Sequence, residues 1–264
     1  MFLRKRPVPH LLLALALVFG VSGSATAAAD HARKPTVVLV HGAFADASGW
    51  NDVARSLRRK GYPVLAPANP LHGVDADSAY LRSVLATVTG PIVLVGHSYG
   101  GFVLTNAATG NPNVKALVYV AAFAPDAGDS VGGLAAKFPG SQLSPAALDF
   151  RPYPGGVDGY IKLPLFREVF AADVSPSTAA AMAAGQRPAD VGTLDQPSGV
   201  PAWKSIPSWT LVAKDDQVIP AATQRFMAQR AGARTVEVKA SHVAMISKPA
   251  STTDLILDAA KETS

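Results

Sequence analysis

The stretch Pro91-Ile92-Val93-Leu94-Val95-Gly96-His97-Ser98-Tyr99-Gly100-Gly101 decides how the rest of the chain is read. Ile92 to Val95 is an unbroken aliphatic run, the pattern of a strand buried on both faces of a parallel sheet. A Gly-x-Ser-x-Gly pentapeptide follows at once, and residues from Phe102 to about Thr109 have helical character. Strand, glycine-flanked serine and helix in direct succession describe a very tight turn. Such a turn strains the backbone at the serine and lifts its hydroxyl above the sheet edge. It also sets backbone N–H groups at the start of a helix, where they face developing negative charge. The five residues alone recur by chance; the strand before and the helix after make Ser98 the candidate nucleophile.

Working outward, the same alternation continues on both sides. Thr36 to Val40 is a β-branched and aliphatic run ending in His41-Gly42. Trp50, Val53 and Leu57 then recur on one helical face. Tyr62 to Ala66 predicts a second strand and residues 75–88 a second helix. Ala116 to Val120 is a fourth strand. Ser208 to Ala213, a helix over Ala221–Ala231, a last strand at Thr235–Val238 and a last helix over 251–261 complete the series. Apolar runs alternating with helices predict an α/β fold, about six mainly parallel strands covered by helices on both faces. Residues 123–205 interrupt the pattern, being rich in Pro, Gly and Ala with no clear strand. Two helical stretches stand out there, around Leu163–Ala171 and Pro176–Gly185. So long a structureless loop is improbable in a compact domain, and the segment reads as a helical cap inserted after the fourth strand.

A serine hydroxyl needs a base to take its proton. His242, in Ala240-Ser241-His242-Val243-Ala244, follows the final strand and so reaches the sheet edge that carries Ser98. His97 reads as a packing or hydrogen-bonding residue beneath the turn, His41 as a structural residue of the loop after the first strand, and His72 as a polar loop residue. The base needs an acid to fix its tautomer. Asp215 and Asp216 follow the strand ending at Ala213. Asp216 is preferred because a short loop then reaches Pro220, which opens the next helix; Asp126 is a third candidate. The order Ser98, Asp216, His242 suits this sheet type. Backbone N–H groups of Ala43 and Tyr99 are the expected oxyanion donors.

With these pieces in place, the sequence resembles the α/β-hydrolase family. The resemblance rests on Val38-Leu39-Val40-His41-Gly42-Ala43, Gly96-His97-Ser98-Tyr99-Gly100-Gly101, Asp216-Gln217-Val218-Ile219-Pro220 and Ser241-His242, and covers about residues 36–262. In detail the chain is similar to the compact branch holding plant methylesterases, small bacterial esterases and cofactor-free hydroxynitrile lyases. The resemblance implies a serine hydrolase acting on small to medium, uncharged or moderately apolar carboxylic esters, with Ser98 as nucleophile, His242 as base, Asp216 as acid, and Ala43 and Tyr99 as oxyanion donors. Many lyases of this branch place a lysine after the histidine; this chain has Val243. Amide or lactone hydrolysis, perhydrolysis and lyase chemistry are the alternatives on the same triad. A ligand-binding protein on a hydrolase shell is the non-enzyme alternative.

Composition bounds the rest. Nearly half of the 264 residues are apolar, which supports a sizeable core. Arg4-Lys5-Arg6, the apolar run Leu11 to Val21 and Ala25-Thr26-Ala27 read as a signal peptide over residues 1–27. The expected arrangement is that leader followed by one hydrolase domain, residues 28–264, with the cap at about 123–205. The expectation is export to the periplasm or medium, with no stable membrane insertion after cleavage. Residues 1–27 hold three of the 24 basic residues and no acidic one, so the remainder carries only +2. That is no footprint for nucleic acid. There is no cysteine, and the triad calls for neither metal nor cofactor. The expected partner is a small ester, in a chamber for which Phe44, Phe138, Leu163, Phe166 and Phe170 are the candidate walls.

Overall fold

The computed structural model describes residues 34–263; the leader expected over residues 1–27 lies outside them. The elements run β1 (Thr36–Val40), α1 (Asn51–Arg59), β2 (Val64–Leu65), α2 (Val74–Ala86), β3 (Ile92–His97), α3 (Tyr99–Ala107), β4 (Val114–Val120). The inserted segment holds α4 (Val131–Ala135), β5 (Leu148–Tyr153), β6 (Gly156–Ile161), α5 (Leu163–Phe170), α6 (Pro176–Ala184) and β7 (Ala189–Asp190). The chain then returns to the main sheet with β8 (Ser208–Ala213), α7 (Ala221–Arg230), β9 (Arg234–Val238), α8 (Ala244–Ser247) and α9 (Pro249–Glu262).

Six of the strands form one sheet, ordered β2-β1-β3-β4-β8-β9, and every pair is parallel. The aliphatic runs explain why. Val37 to Val40, Ile92 to Val95 and Ala116 to Val120 are buried throughout, which requires helices on both faces. One layer is α1 packed on α9; the other is α2 packed on α3. Trp50, Val53 and Leu57 point into the core from α1 and the short turn before it. The chain runs outward from β1 to β2 and then returns to β3 on β1's other side. The crevice at the carboxyl ends of β1 and β3 is therefore the switch point where such sheets place their ligands.

Register fixes what meets at that edge. Val40 pairs with Gly96, and His97 with Val120, so the chain leaves β1, β3 and β4 at one level. Ala213 pairs with Val238, so the loops after β8 and β9 also leave together.

The insertion after β4 carries the two helices read from sequence, but it also holds a three-stranded antiparallel sheet, β5-β6-β7, that the sequence did not reveal. Along β5, Leu148 to Tyr153, no residue is fully buried and the middle four are exposed. A strand without a buried face has no reason to alternate apolar and polar residues, and Pro152 inside β5 reads as a strand breaker.

Candidate active site

Ser98 stands between β3 and α3 with φ 53° and ψ −126°, a left-handed value that a side-chain-bearing residue holds only when its surroundings force it. The surroundings do. Its carbonyl accepts the Gly101 N–H at 3.0 Å and the Phe123 N–H at 3.1 Å. A Cβ on Gly100 would lie 2.5 Å from the Val40 carbonyl oxygen, so β1 and α3 approach this closely only over glycine. Gly42 has the same role on the facing loop: a Cβ there would lie 2.6 Å from Ser98 Cβ and 3.1 Å from the Tyr99 nitrogen. The loop after β1 is thereby pressed against the serine turn.

That contact brings together the two backbone donors read from sequence, Ala43 and Tyr99. Among the described residues, no protein acceptor takes the N–H of either one. Both residues line the same cavity as Ser98. The loop that carries Ala43 is held by His41. The His41 Nε2 accepts the Asn69 N–H at 2.9 Å, so Nδ1 bears the proton and donates to the Gly42 carbonyl at 2.8 Å. Burial holds His41 below its ordinary pKa, in keeping with a neutral ring that accepts on one side. The Phe44 N–H donates to the Arg187 carbonyl at 2.8 Å, which ties the loop to the cap.

Asp216 and His242 meet in the interior. Nδ1 of His242 lies 2.7 Å from Asp216 Oδ2, both side chains being fully buried. The carboxylate is an acceptor only, so Nδ1 carries the proton and Nε2 is the basic nitrogen. Three further donors saturate Asp216: the Val218 N–H at 2.8 Å, the Ile219 N–H at 2.9 Å and Gln224 Nε2 at 2.8 Å. Asp215 is exposed, and Asp126 is engaged by Lys204 at 2.9 Å; neither faces the histidine. Nε2 of His242 is buried and has no hydrogen-bond partner among the described residues. The Ser98 hydroxyl makes no hydrogen bond to it; catalytic hydrogen bonds of this kind commonly tighten as substrate binds.

His97 anchors the base from below. Its Nε2 donates to the His242 carbonyl at 2.9 Å, and the two rings lie 4.7 Å apart. Burial, then the neighbouring His242, pushes the His97 pKa well down, so the ring stays neutral. Gln224 and Asp173 complete the support. The Asp173 carboxylate accepts the Ser241 N–H at 3.1 Å and also the Ser241 hydroxyl. Sequence reasoning did not single out either residue. A polar side chain in a helix or a surface loop carries no mark of the partner it meets across the fold.

The cavity above Ser98 has a volume of about 240 Å³. Leu143, Leu148, Val191 and Val218 supply much of its apolar wall, and Phe150 and Leu194 lie at its outer part. Of the five candidate wall residues, Phe44 lines it. The other four are corrected by the structure. Phe138 packs on Phe226, ring centroids 6.0 Å apart. Leu163 is 63% exposed at the start of α5. Phe166 and Phe170 are fully buried and pack on each other with their rings tilted, centroids 5.1 Å apart. Phe170 sets its edge against the His242 ring at 5.0 Å and thus shields the base rather than the substrate space.

A strained serine over a parallel sheet, backbone donors beside it and a carboxylate-held histidine form the arrangement of a serine hydrolase on an α/β scaffold. Comparison agrees: the model of the Alpha/beta hydrolase family matches residues 37–255, and the chain belongs to that family. A carbendazim hydrolyzing esterase of Nocardioides sp. (strain SG-4G) is 37% identical over 113 residues, 38% of this chain and 47% of that esterase. Methylesterase 1 of Arabidopsis thaliana is 27% identical over 256 residues, 86% of this chain and 97% of its own length. The crystal structure of polyneuridine aldehyde esterase superposes with a TM-score of 0.74 at 22% identity, covering 85% of this chain and 98% of that one.

Proposed function

We propose that the chain is a carboxylic ester hydrolase that works through an acyl-enzyme on Ser98. The observation that carries this reading is the buried pair of Asp216 and His242, 2.7 Å apart, on the sheet edge that strains Ser98 above an apolar cavity. His242 Nε2 takes the serine proton as Oγ attacks the ester carbonyl. The Ala43 and Tyr99 N–H groups receive the oxyanion, and a preorganised donor of this kind is worth a factor of about 10² to 10³ in rate. The imidazolium, stabilised by Asp216, returns its proton to the leaving alcohol. Water activated by the same nitrogen then releases the acid.

The substrate class follows from the walls. The cavity is mostly apolar, and its ionisable lining includes the Asp190 carboxylate, which accepts from the Tyr153 hydroxyl at 2.6 Å and the Gly192 N–H at 2.7 Å. A carboxylate there disfavours an anionic ligand. Uncharged, moderately apolar esters of small to medium size fit best, and similarity to an esterase and a methylesterase supports the ester class. Export directed by residues 1–27 is part of the proposal, and sequencing the N-terminus of protein recovered from the medium or periplasm tests it.

The test of the chemistry is a panel of p-nitrophenyl esters of increasing acyl length, given to the wild type and Ser98→Ala. The variant is expected to lose turnover by a factor on the order of 10⁶ in kcat while its circular dichroism is unchanged. Equal turnover in the two proteins would end the mechanism.

A further inference from the structure

Asp77 is a fully buried carboxylate on α2, outside the triad. Its Oδ1 accepts the His72 N–H at 3.0 Å. Its Oδ2 accepts the Tyr99 hydroxyl at 2.8 Å and, at a longer 3.4 Å, the Gly73 N–H. A carboxylate taken wholly out of water is expensive and persists only when its oxygens are well supplied with donors. Part of that supply is local: Gly73 caps α2 without a side chain of its own, and Asp77 reaches back to the free N–H groups. Position 73 itself has no room for a capping side chain: it is buried at φ 126°, and a Cβ there would lie 2.8 Å from Gln196 Oε1. Capping accounts for Oδ1 and for the long bond to Gly73, and leaves the short bond of Oδ2 unexplained. What the buried oxygen adds is the short bond to a phenol on another element.

That phenol belongs to the residue that opens α3 directly after the nucleophile. Tyr99 lines the cavity above Ser98, its N–H is taken by no protein acceptor among the described residues, and its ring is stacked on Phe102, centroids 6.4 Å apart. The hydroxyl at the far end of the ring is held by α2. The first residue of α3 is therefore gripped at both ends of its side chain, and a donor displaced by a fraction of an ångström loses much of its effect on the transition state. We infer that Asp77 is a positioning residue for ester hydrolysis, fixing the Tyr99 N–H at the oxyanion through its bond to the Tyr99 phenol. This rests on the ester-hydrolase reading above.

Tyr99→Phe removes one hydroxyl, keeps the ring and leaves the α2 cap intact. On p-nitrophenyl acetate its kcat is expected to fall about tenfold with KM within twofold, and its affinity for a trifluoromethyl ketone, which forms the tetrahedral adduct, to fall by the same factor. Asp77→Asn is expected to show the same split, and the double variant no further loss, because both changes cut one contact. A merely structural role would lower the melting temperature and leave the ratio of inhibitor affinity to KM where it was. The inference is overturned if Tyr99→Phe keeps kcat and inhibitor affinity within twofold, or if the two losses multiply. Fluorophosphonate labelling separates the two readings. An unlabelled wild type sinks the hydrolase reading and this inference with it. A labelled wild type beside an unimpaired Tyr99→Phe sinks the inference alone.

Discussion

Two adjacent carboxylates, Asp215 and Asp216, follow β8, and their fates differ by one residue of backbone. Asp216 turns inward to accept four hydrogen bonds, including the 2.7 Å bond from His242. Asp215 remains exposed, its N–H bonded to the Ala240 carbonyl at 3.0 Å. Asp216→Asn leaves the geometry nearly intact but offers the histidine the wrong partner for its Nδ1 proton, and kcat is expected to fall about 10⁴-fold. Asp215→Asn is expected to stay within threefold of the wild type. Steady-state kinetics on p-nitrophenyl butyrate checks both, and a severe loss in Asp215→Asn would move the acid to the neighbouring position. At this scale the sequence was informative where chemistry restricts residue type. Ser98, His242 and the Asp215-Asp216 pair stand at strand ends that can be located from apolar runs. It was silent on Asp77, Gln224 and Asp173, whose roles come from contacts made across elements.

Elements were legible in proportion to their burial. β1, β3, β4 and β8 are buried nearly throughout, and burial on two faces demands the aliphatic runs from which they were read. α5 and α6 emerged at their observed starts, Leu163 and Pro176, because Pro near a helix start and an apolar stripe mark them locally. The β5-β6 ribbon did not emerge, and with it was lost the cavity wall. Leu148 and Phe150 of β5 line the cavity, while Phe138, Phe166 and Phe170, expected to do so, pack elsewhere. Phe150 is 46% exposed, so changing it costs little stability but alters the outer part of the chamber. Phe150→Arg is expected to lower kcat/KM for octanoate esters about tenfold, roughly the 1–3 kcal/mol of a lost apolar contact. Acetate turnover and the melting temperature should barely move. A uniform loss at every chain length would remove β5 from the substrate path.

Across the whole molecule, the site is built by buried neutral histidines as well as by the triad, and this ties folding to pH. His97 anchors the His242 backbone and His41 shapes the loop bearing Ala43. Burial lowers the pKa of both below the ordinary value near 6.5. When the chain unfolds, each ring regains that ordinary value and binds a proton that the folded state refuses. The unfolded state therefore holds more protons between about pH 6.5 and the lower folded values, and stability falls as pH drops through this window. Each proton tilts the balance by about 1.4 kcal/mol per pH unit. Carboxylates, with ordinary values near 4, contribute little above pH 5. The melting temperature is expected to be flat from pH 8 to 7 and to decline steadily from 6.5 to 5. His97→Gln, which retains an amide donor for the His242 carbonyl, should show a shallower decline even if it starts less stable. Thermal unfolding followed by circular dichroism across this range gives both slopes. A wild-type melting temperature unchanged down to pH 5 would mean that the rings beneath the site accept protons in place, and that the neutral scaffold holding the base is not what the fold protects.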